Sequence, residues 1–333
     1  FSETMDSNTL TTNSIDTSCS GTLQVSSDNF ISCIKMSSSP LITNSNKTFS
    51  MTPSNNLSLA TKYHIKVTYG VKDSSGNLLS SQYETQNGFN ISAIQIGTSV
   101  DDKGSELKVD TSNNVYITGY TYGGLDSNNN LGVADFVLIK FNSNDTKLWT
   151  KQIGTPKDDR GNGIAIDTSN NVYITGYTKG DFDNDTYSSN PDVFLSKFNS
   201  SGTKQWITSF GTPKDDYGNG IAVDSSNNVY ITGYTKGDFD NDSYSANPDV
   251  ILLKYNSSGT KQWEKQIGTS SDDRGSDIAI DSSNNIYITG YTKGDFDNNT
   301  NSGNSDIFIL KFNSEGMIQQ TVLLGTALDD KGY

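Results

Sequence analysis

The segment "DFDNDTYSSNPD" places Asp181, Asp183 and Asp185 in alternation and Asp192 eleven positions after the first. Carboxylates at positions 1, 3, 5 and 12 have the spacing of a twelve-residue calcium-binding loop, since calcium takes about six to eight oxygen ligands. A second copy offers Asp238, Asp240, Asp242 and Asp249, and a third offers Asp295, Asp297, Asn299 and Asp306. A weaker, earlier copy has Gly124 at position 1, followed by Asp126, Asn128 and Asp135. A calcium reading therefore ranks the copies at Asp181 and Asp238 first, that at Asp295 next and the earliest last. Against calcium, position 6 is Thr186, Ser243 or Thr300, where a calcium loop needs glycine. Position 12 is aspartate, a shorter arm than the usual bidentate glutamate. Asp and Asn also build turns with no metal, and the last aspartate can bond backbone amides at a strand start. A plain structural turn is the favoured reading, and calcium is the alternative.

What positions these residues is a repeat. "GYTKGDFDND" begins at Gly176, its near-copy at Gly233, a third at Gly290 and a divergent one at Gly119. A Gly-Thr pair opens each unit at Gly97, Gly154, Gly211, Gly268 and, for a partial unit, Gly325, with a constant spacing of 57. Such a period means stacked or radial units. Within the second unit, "GIAID", "VYITGYT", "DVFLSKF" and "KQWITSF" read as four strands, separated by turns such as "TSNN" and "NSSGT". Val172, Ile174 and Gly176 share one strand face and Tyr173, Thr175 and Tyr177 the other, so both faces are expected to pack against similar sheets. Gly176, Gly233 and Gly290 would let a neighbouring sheet approach closely. Trp149, Trp206 and Trp263 recur in the fourth strand, where the last complete unit has Gln320. Four-stranded units of this length fit propeller blades, and a parallel β-helix would need shorter coils.

The remaining composition agrees. The 333 residues are 32% hydrophobic and carry a formal charge of −14, which argues against a nucleic-acid surface. No apolar run reaches the length of a membrane span. Cys19 and Cys33 are the two cysteines, and with His64 they cannot make a four-ligand zinc site of the usual kind. A disulfide between them, joining a loop to an adjacent strand, would contribute about 3 kcal/mol and imply an oxidising, extracytoplasmic setting. Two buried free thiols are the other reading. The opening at Phe1 suggests a processed or trimmed start. "ISAIQIGTS" matches a fourth strand and "GTALDDKGY" begins a fifth unit, so the chain is expected to continue beyond Tyr333, with the N-terminal strand completing the last blade.

"DDRGNGIAIDTSNNVYITGYTKGDF" followed by "DVFLSKFNSSGTKQW" resembles the bacterial SBBP family of β-propeller repeats. One departure is Asp183, Asp240 and Asp297 where that family often has proline. "FSETMD" and "KTFSMTPSNNLSLATKYHIKVTYGVKDSSGN" resemble an S-layer-type bacterial Ig-like domain. The period-two alternation of "KYHIKVTYGV" independently reads as a β-sandwich strand. The expectation is an all-β protein: an Ig-like β-sandwich over 1–88, lacking a strand before Phe1, then four-stranded propeller blades over 89–333. The resemblance implies a secreted or surface-exposed bacterial protein.

In an up-and-down blade, the link between blades and the second-to-third loop share one rim. Asp158, Asp159, Asp181, Asp183, Asp185 and Asp192 of one unit thus crowd that rim, tempered by Lys157, Arg160 and Lys179. An enzyme is the weakest reading: His64 lies outside the repeats, no nucleophile or phosphate motif occurs, and near-identical units supply like groups in a ring. A non-enzymatic structural or adhesive module presenting an acidic face to a protein or glycan leads, without transmembrane segment or nucleic-acid partner. A glycan- or calcium-dependent ligand-binding propeller is the alternative. Tyr177, Tyr234 and Tyr291 could stack on sugars, but packing between blades is favoured for them.

Overall fold

The computed structural model describes residues 1–58, 61–91, 94–182, 190–239, 247–296 and 299–332. The chain forms two compact units, Phe1–Gln95 and Ile96–Tyr333. Both are β-structures. The helical segments among the described residues are two three-residue 3-10 turns, Ser7–Thr9 and Leu125–Ser127.

In the first unit, the alternating segment forms β4 (Thr61–Val67), the centre of a sheet. It pairs antiparallel with β1 (Leu23–Ser26) on one side. On the other it meets β5 (Tyr83–Glu84) and β6 (Phe89–Ile91), while β2 (Leu41–Thr43) and β3 (Thr48–Ser50) form a separate hairpin. The unit extends past residue 88 because β6 pairs with Thr61–Tyr63. Tyr63 and Val67 point inward, into clusters with Val25 and Met36 and with Met5, Leu10, Leu23 and Val71. "DSSGN" is a turn: Asp73 accepts the amides of Ser75 and Asn77, and Gly76 takes a φ of +87° that a side chain disfavours. Cys19 and Cys33 are disulfide-bonded. Neither lies in a strand, so the bond joins the two loops flanking β1 rather than a loop to a strand.

The second unit is four antiparallel four-stranded sheets. Blade 1 comprises β7 (Asp102–Val109), β8 (Val115–Thr121), β9 (Asp135–Phe141) and β10 (Lys147–Ile153). Blade 2 has β11 (Asp159–Ile166), β12 (Val172–Thr178), β13 (Asp192–Phe198) and β14 (Lys204–Phe210). Blade 3 has β15 (Asp216–Val223), β16 (Val229–Thr235), β17 (Asp249–Tyr255) and β18 (Lys261–Ile267). Blade 4 has β19 (Asp273–Ile280), β20 (Ile286–Thr292), β21 (Asp306–Phe312) and β22 (Ile318–Leu324). The first strands β7, β11, β15 and β19 run beside one another. Residues 94–99 pair with no described strand, and Ile96 packs on Leu125, Val137, Ile139 and Phe141.

Each turn is closed by its own side chain. In "DTSNN", Asp167 accepts the amides of Ser169 and Asn171, and Tyr173 donates its hydroxyl to the same carboxylate. In "NSSGT", Asn199 accepts the amides of Ser201 and Thr203 around Gly202.

Both faces of the middle blades are buried. One face of β12 packs Val172 and Ile174 against Tyr116, Phe136 and Leu138 of blade 1. The other places Tyr173 among Ile221, Val229, Ile231 and Leu253 of blade 3. Side chains then reach across. Lys140, Lys197 and Lys254 each donate to the carbonyl of Ser200, Ser257 and Ser314 in the next blade's turn, at 3.0, 2.9 and 3.1 Å. Trp149, Trp206 and Trp263 lie against the turn glycines Gly202, Gly259 and Gly316 of the following blade.

The glycines of the second strand lie where a neighbouring blade approaches, as expected, and they also accommodate a bulge of their own blade. The first strand bulges at Asn162, between Gly161 and Gly163. A Cβ at Gly176 would overlap the carbonyl oxygen of Arg160 in its own blade. The next blade also approaches it closely, since a Cβ at Gly218 would lie 3.0 Å from the Gly176 carbonyl oxygen, just as a Cβ at Gly161 would lie 3.1 Å from that of Gly119 and 2.5 Å from the Thr118 hydroxyl of the preceding blade. The bulged Asn162 donates to the carbonyl of Gly218 in the next blade, and Asn219 repeats this to Gly275.

Two outcomes follow from this packing. Trp206→Ala should lower propeller stability by about 2 kcal/mol in urea titrations, since half of a large ring and its turn contact are lost. Gln320→Ala, at the exposed equivalent in blade 4, should stay within about 0.5 kcal/mol. Replacing Cys19 and Cys33 by serine should cost the first unit about 3 kcal/mol, measured by differential scanning calorimetry.

Candidate functional site

The acidic rim is built from the Gly-Thr pair, the Asp-Asp pair that follows and the aspartate that opens each third strand. Thr155 donates its amide (2.6 Å) and its hydroxyl (2.8 Å) to Asp159 Oδ2, while Thr178 donates its hydroxyl to Asp159 Oδ1. The same amide-plus-hydroxyl grip joins Thr98 to Asp102, Thr212 to Asp216, Thr269 to Asp273 and Thr326 to Asp330. Asp159, Asp216 and Asp273 are fully buried. Burial raises the Asp159 and Asp273 carboxyls and pushes Asp216 up to about 6, against the opposing pull of the threonine hydrogen bonds.

The first aspartate of each pair turns the other way, as alternation along an extended chain requires. Asp158 meets Arg160 at 2.9 Å and Lys179 at 3.8 Å, and accepts the Tyr177 hydroxyl. Asp272 meets Arg274 and Lys293, and Asp215 meets Lys236. The rim thus carries its own counter-cations.

The aspartates at position 12 of the calcium-loop spacing sit at strand starts and face the junction with the next blade. A Cβ on Gly154, Gly211, Gly268 or Gly325 would overlap the Oδ1 of Asp135, Asp192, Asp249 or Asp306, which explains the invariant spacing of these glycines. Asp135 Oδ2 accepts the Leu131 amide (3.0 Å) and Gln152 Nε2 (2.9 Å), Asp249 accepts Gln266, and Asp306 accepts the Ser302 amide. Of the other loop positions, Asp295 accepts the Asn301 amide, and Asn299 donates to the Phe296 carbonyl. Asp181 and Asp238 begin their loops, whereas Asp183, Asp185, Asp240, Asp242 and Asp297 lie outside the described residues. Among the described residues, no three His, Cys, Asp or Glu side chains converge as a metal-binding group.

The tyrosines use their faces on one another and on arginines. Tyr217 stacks on Tyr234 with centroids 4.8 Å apart and meets Tyr177 edge-on at 4.9 Å. Arg160 lies 4.4 Å above Tyr120, Arg274 lies 4.4 Å above Tyr234, and Lys331 sits over Tyr291 at 4.9 Å. The packing of Tyr177 on Tyr217 of the next blade agrees with the reading favoured for these tyrosines, whereas the cation contacts and the threonine grip go beyond it. The signal for the grip was present, as Thr155 precedes Asp159 by four positions in a pattern that every unit repeats.

The chain matches two family descriptions: "Bacterial Ig-like domain" over residues 1–91, and "Beta-propeller repeat" (SBBP) over 148–183, 205–240 and 262–297. Among curated proteins it is similar to an uncharacterized WD repeat-containing protein of Acanthamoeba polyphaga mimivirus, 23% identical over 56% of this chain and 17% of that protein. It is also similar to the regulatory protein FlaEY of Caulobacter vibrioides, 25% identical over 46% of this chain and 18% of that one. The chain therefore spans less than a fifth of these relatives. Similar solved structures include a Bacteroides caccae protein of unknown function (TM-score 0.37, 10% identity, 57% of this chain and 54% of that one). A Xanthomonas campestris gluconolactonase is another (TM-score 0.38, 10% identity, 67% of this chain and 63% of that one). The threonine grip recurring at 57-residue spacing and the β4-centred N-terminal sheet thus belong to a chain that carries SBBP-type β-propeller repeats behind a bacterial Ig-like domain.

Proposed function

We propose that this chain is a non-enzymatic structural and interaction module of a secreted or surface-exposed bacterial protein, with the propeller rim as its contact face. The observation that supports this reading is the mutual pairing of the rim's ionisable groups. Asp158 is held by Arg160 and Lys179, Asp272 by Arg274 and Lys293, and Asp159 by two threonines. A general acid or base needs an exposed group within reach of a substrate proton, and these groups are committed to their own blade. The Cys19–Cys33 disulfide supports an extracytoplasmic location. No helix among the described residues is long and apolar enough to cross a membrane.

The acidic loops act in this reading as turns, and the partner is a protein held at the rim. The test is binding of the full chain to immobilised surface proteins and to a glycan array, with and without chelator. Saturable protein binding that survives chelator and is lost in Lys179→Glu/Lys236→Glu supports the reading. Glycan binding lost in Tyr177→Ala would favour a carbohydrate-binding propeller instead. Calorimetry in chelator-treated buffer should give no calcium heat, and the melting temperature should not move. A calcium response that disappears in Asp181→Asn would instead make the loops metal sites.

A further inference from the structure

The fourth strand is the outermost of each blade, because the first strands run beside one another and the strands of each sheet follow in chain order. Its outer edge presents a row of backbone donors and acceptors open to another chain, and proteins guard such edges with charge, above all lysine. Three blades carry that guard. β10 has Lys147 and Lys151, β14 has Lys204, and β18 has Lys261, Glu264 and Lys265. β22 reads IQQTVLL and has no charged residue. Ile318 stands where the other blades have Lys147, Lys204 and Lys261, and it is 44% exposed.

The rest of β22 favours pairing. Among the described residues it pairs with β21 alone. The register is regular from Gln320 to Leu324, after a bulge between Lys311 and Phe312 that leaves Gln319 without a partner on β21. Thr321 and Val322 are β-branched, and no glycine, proline or aspartate interrupts the run. A neutral, apolar strand of this length on an open edge has the character of a pairing segment.

We propose that β22 is a self-association edge, pairing antiparallel with β22 of a second copy so that two four-stranded sheets become one continuous sheet. A twofold axis at Val322 sets Val322 against its own copy, Thr321 against Leu323 and Gln320 against Leu324, so no charge meets a like charge. The same arrangement on β10 or β18 would set Lys151 against Lys151 or Lys265 against Lys265. On β14, pairing would strip water from Lys204 at the strand's start. The occupant is a second copy because a twofold axis lets one neutral edge supply both sides of the ladder. The interface is one strand wide, so association is weak and rises with protein concentration. It uses the outer edge of blade 4 and none of the rim residues of the proposed function, so either reading can fail without the other.

The experiment is sedimentation equilibrium of the full chain from micromolar to millimolar concentration, beside the double variant Ile318→Lys/Val322→Lys. Other blades already carry lysine at both places, so the fold is kept, and an unchanged melting temperature checks this. The expected result is a monomer–dimer equilibrium whose Kd rises about tenfold or more in the variant. Backbone amides of β22 should exchange with deuterium more slowly as concentration rises. Val322→Cys, on the axis, should form a covalent dimer under mild oxidation, whereas Thr208→Cys, its equivalent on β14, should remain monomeric. A chain that stays monomeric at every concentration overturns the proposal. So does a dimer that persists in the lysine variant, or one lost instead in Leu107→Asp, which would place the contact on the exposed face of blade 1.

Discussion

The propeller unit depends on a buried carboxylate that holds the chain where it passes from one blade to the next. A blade buried on both faces leaves its connecting segment in the interior, where an amide without an acceptor costs about 1–3 kcal/mol. Asp159 supplies that acceptor, taking the Thr155 amide and hydroxyl together, and its own amide bonds to Ala134 of the preceding blade. One residue thereby closes the turn, fixes the first strand and ties two blades. The glycine before the threonine is required by the same arrangement, because any side chain there would meet the aspartate of the third strand.

Once the junction is set, nearest-neighbour contacts complete the structure. Lys197 reaches the Ser257 carbonyl while its charge lies 5.1 Å above the Tyr173 ring, and Tyr173 bonds Asp167 in its own turn. Trp206 covers the next blade's Gly259. The Ser257 and Gly259 contacts link a blade to its successor, so cohesion accumulates repeat by repeat. Exposure follows that logic: Ile164 and Ile221, each covered by the preceding blade, are 0% and 3% exposed, whereas Leu107 at the same position of blade 1 is 56% exposed.

Much of this was legible in the chain. The constant spacing of Gly154, Gly211 and Gly268 gave the unit, and alternation through Val172–Tyr177 gave strands packed on both faces, because period two is a property of the backbone. What alternation could not give was the bulge at Asn162, which depends on how two strands pair rather than on either alone. For that reason the expectation for Gly176 covers the neighbouring blade's approach but not the Arg160 carbonyl of its own blade, which a side chain there would also meet. The aspartate spacing was visible but ambiguous, since one carboxylate at a strand start suits a metal or a backbone amide equally well.

The net charge of −14 also reads differently once the side chains are placed. Asp110, Asp167, Asp224 and Asp281 each close a turn and meet a tyrosine hydroxyl, which removes them from the pool of groups available to a partner. Asp159, Asp216 and Asp273 are buried, and Asp158, Asp215 and Asp272 are ion-paired. Acidity in this repeat is largely a means of satisfying backbone and hydroxyl donors in a sequence poor in large apolar residues. Among the described residues, the rim is therefore a mosaic of paired charges, with half-exposed lysines such as Lys179 and Lys236 among them. Electrostatic complementarity to such a surface selects by the position of charges more than by their sum.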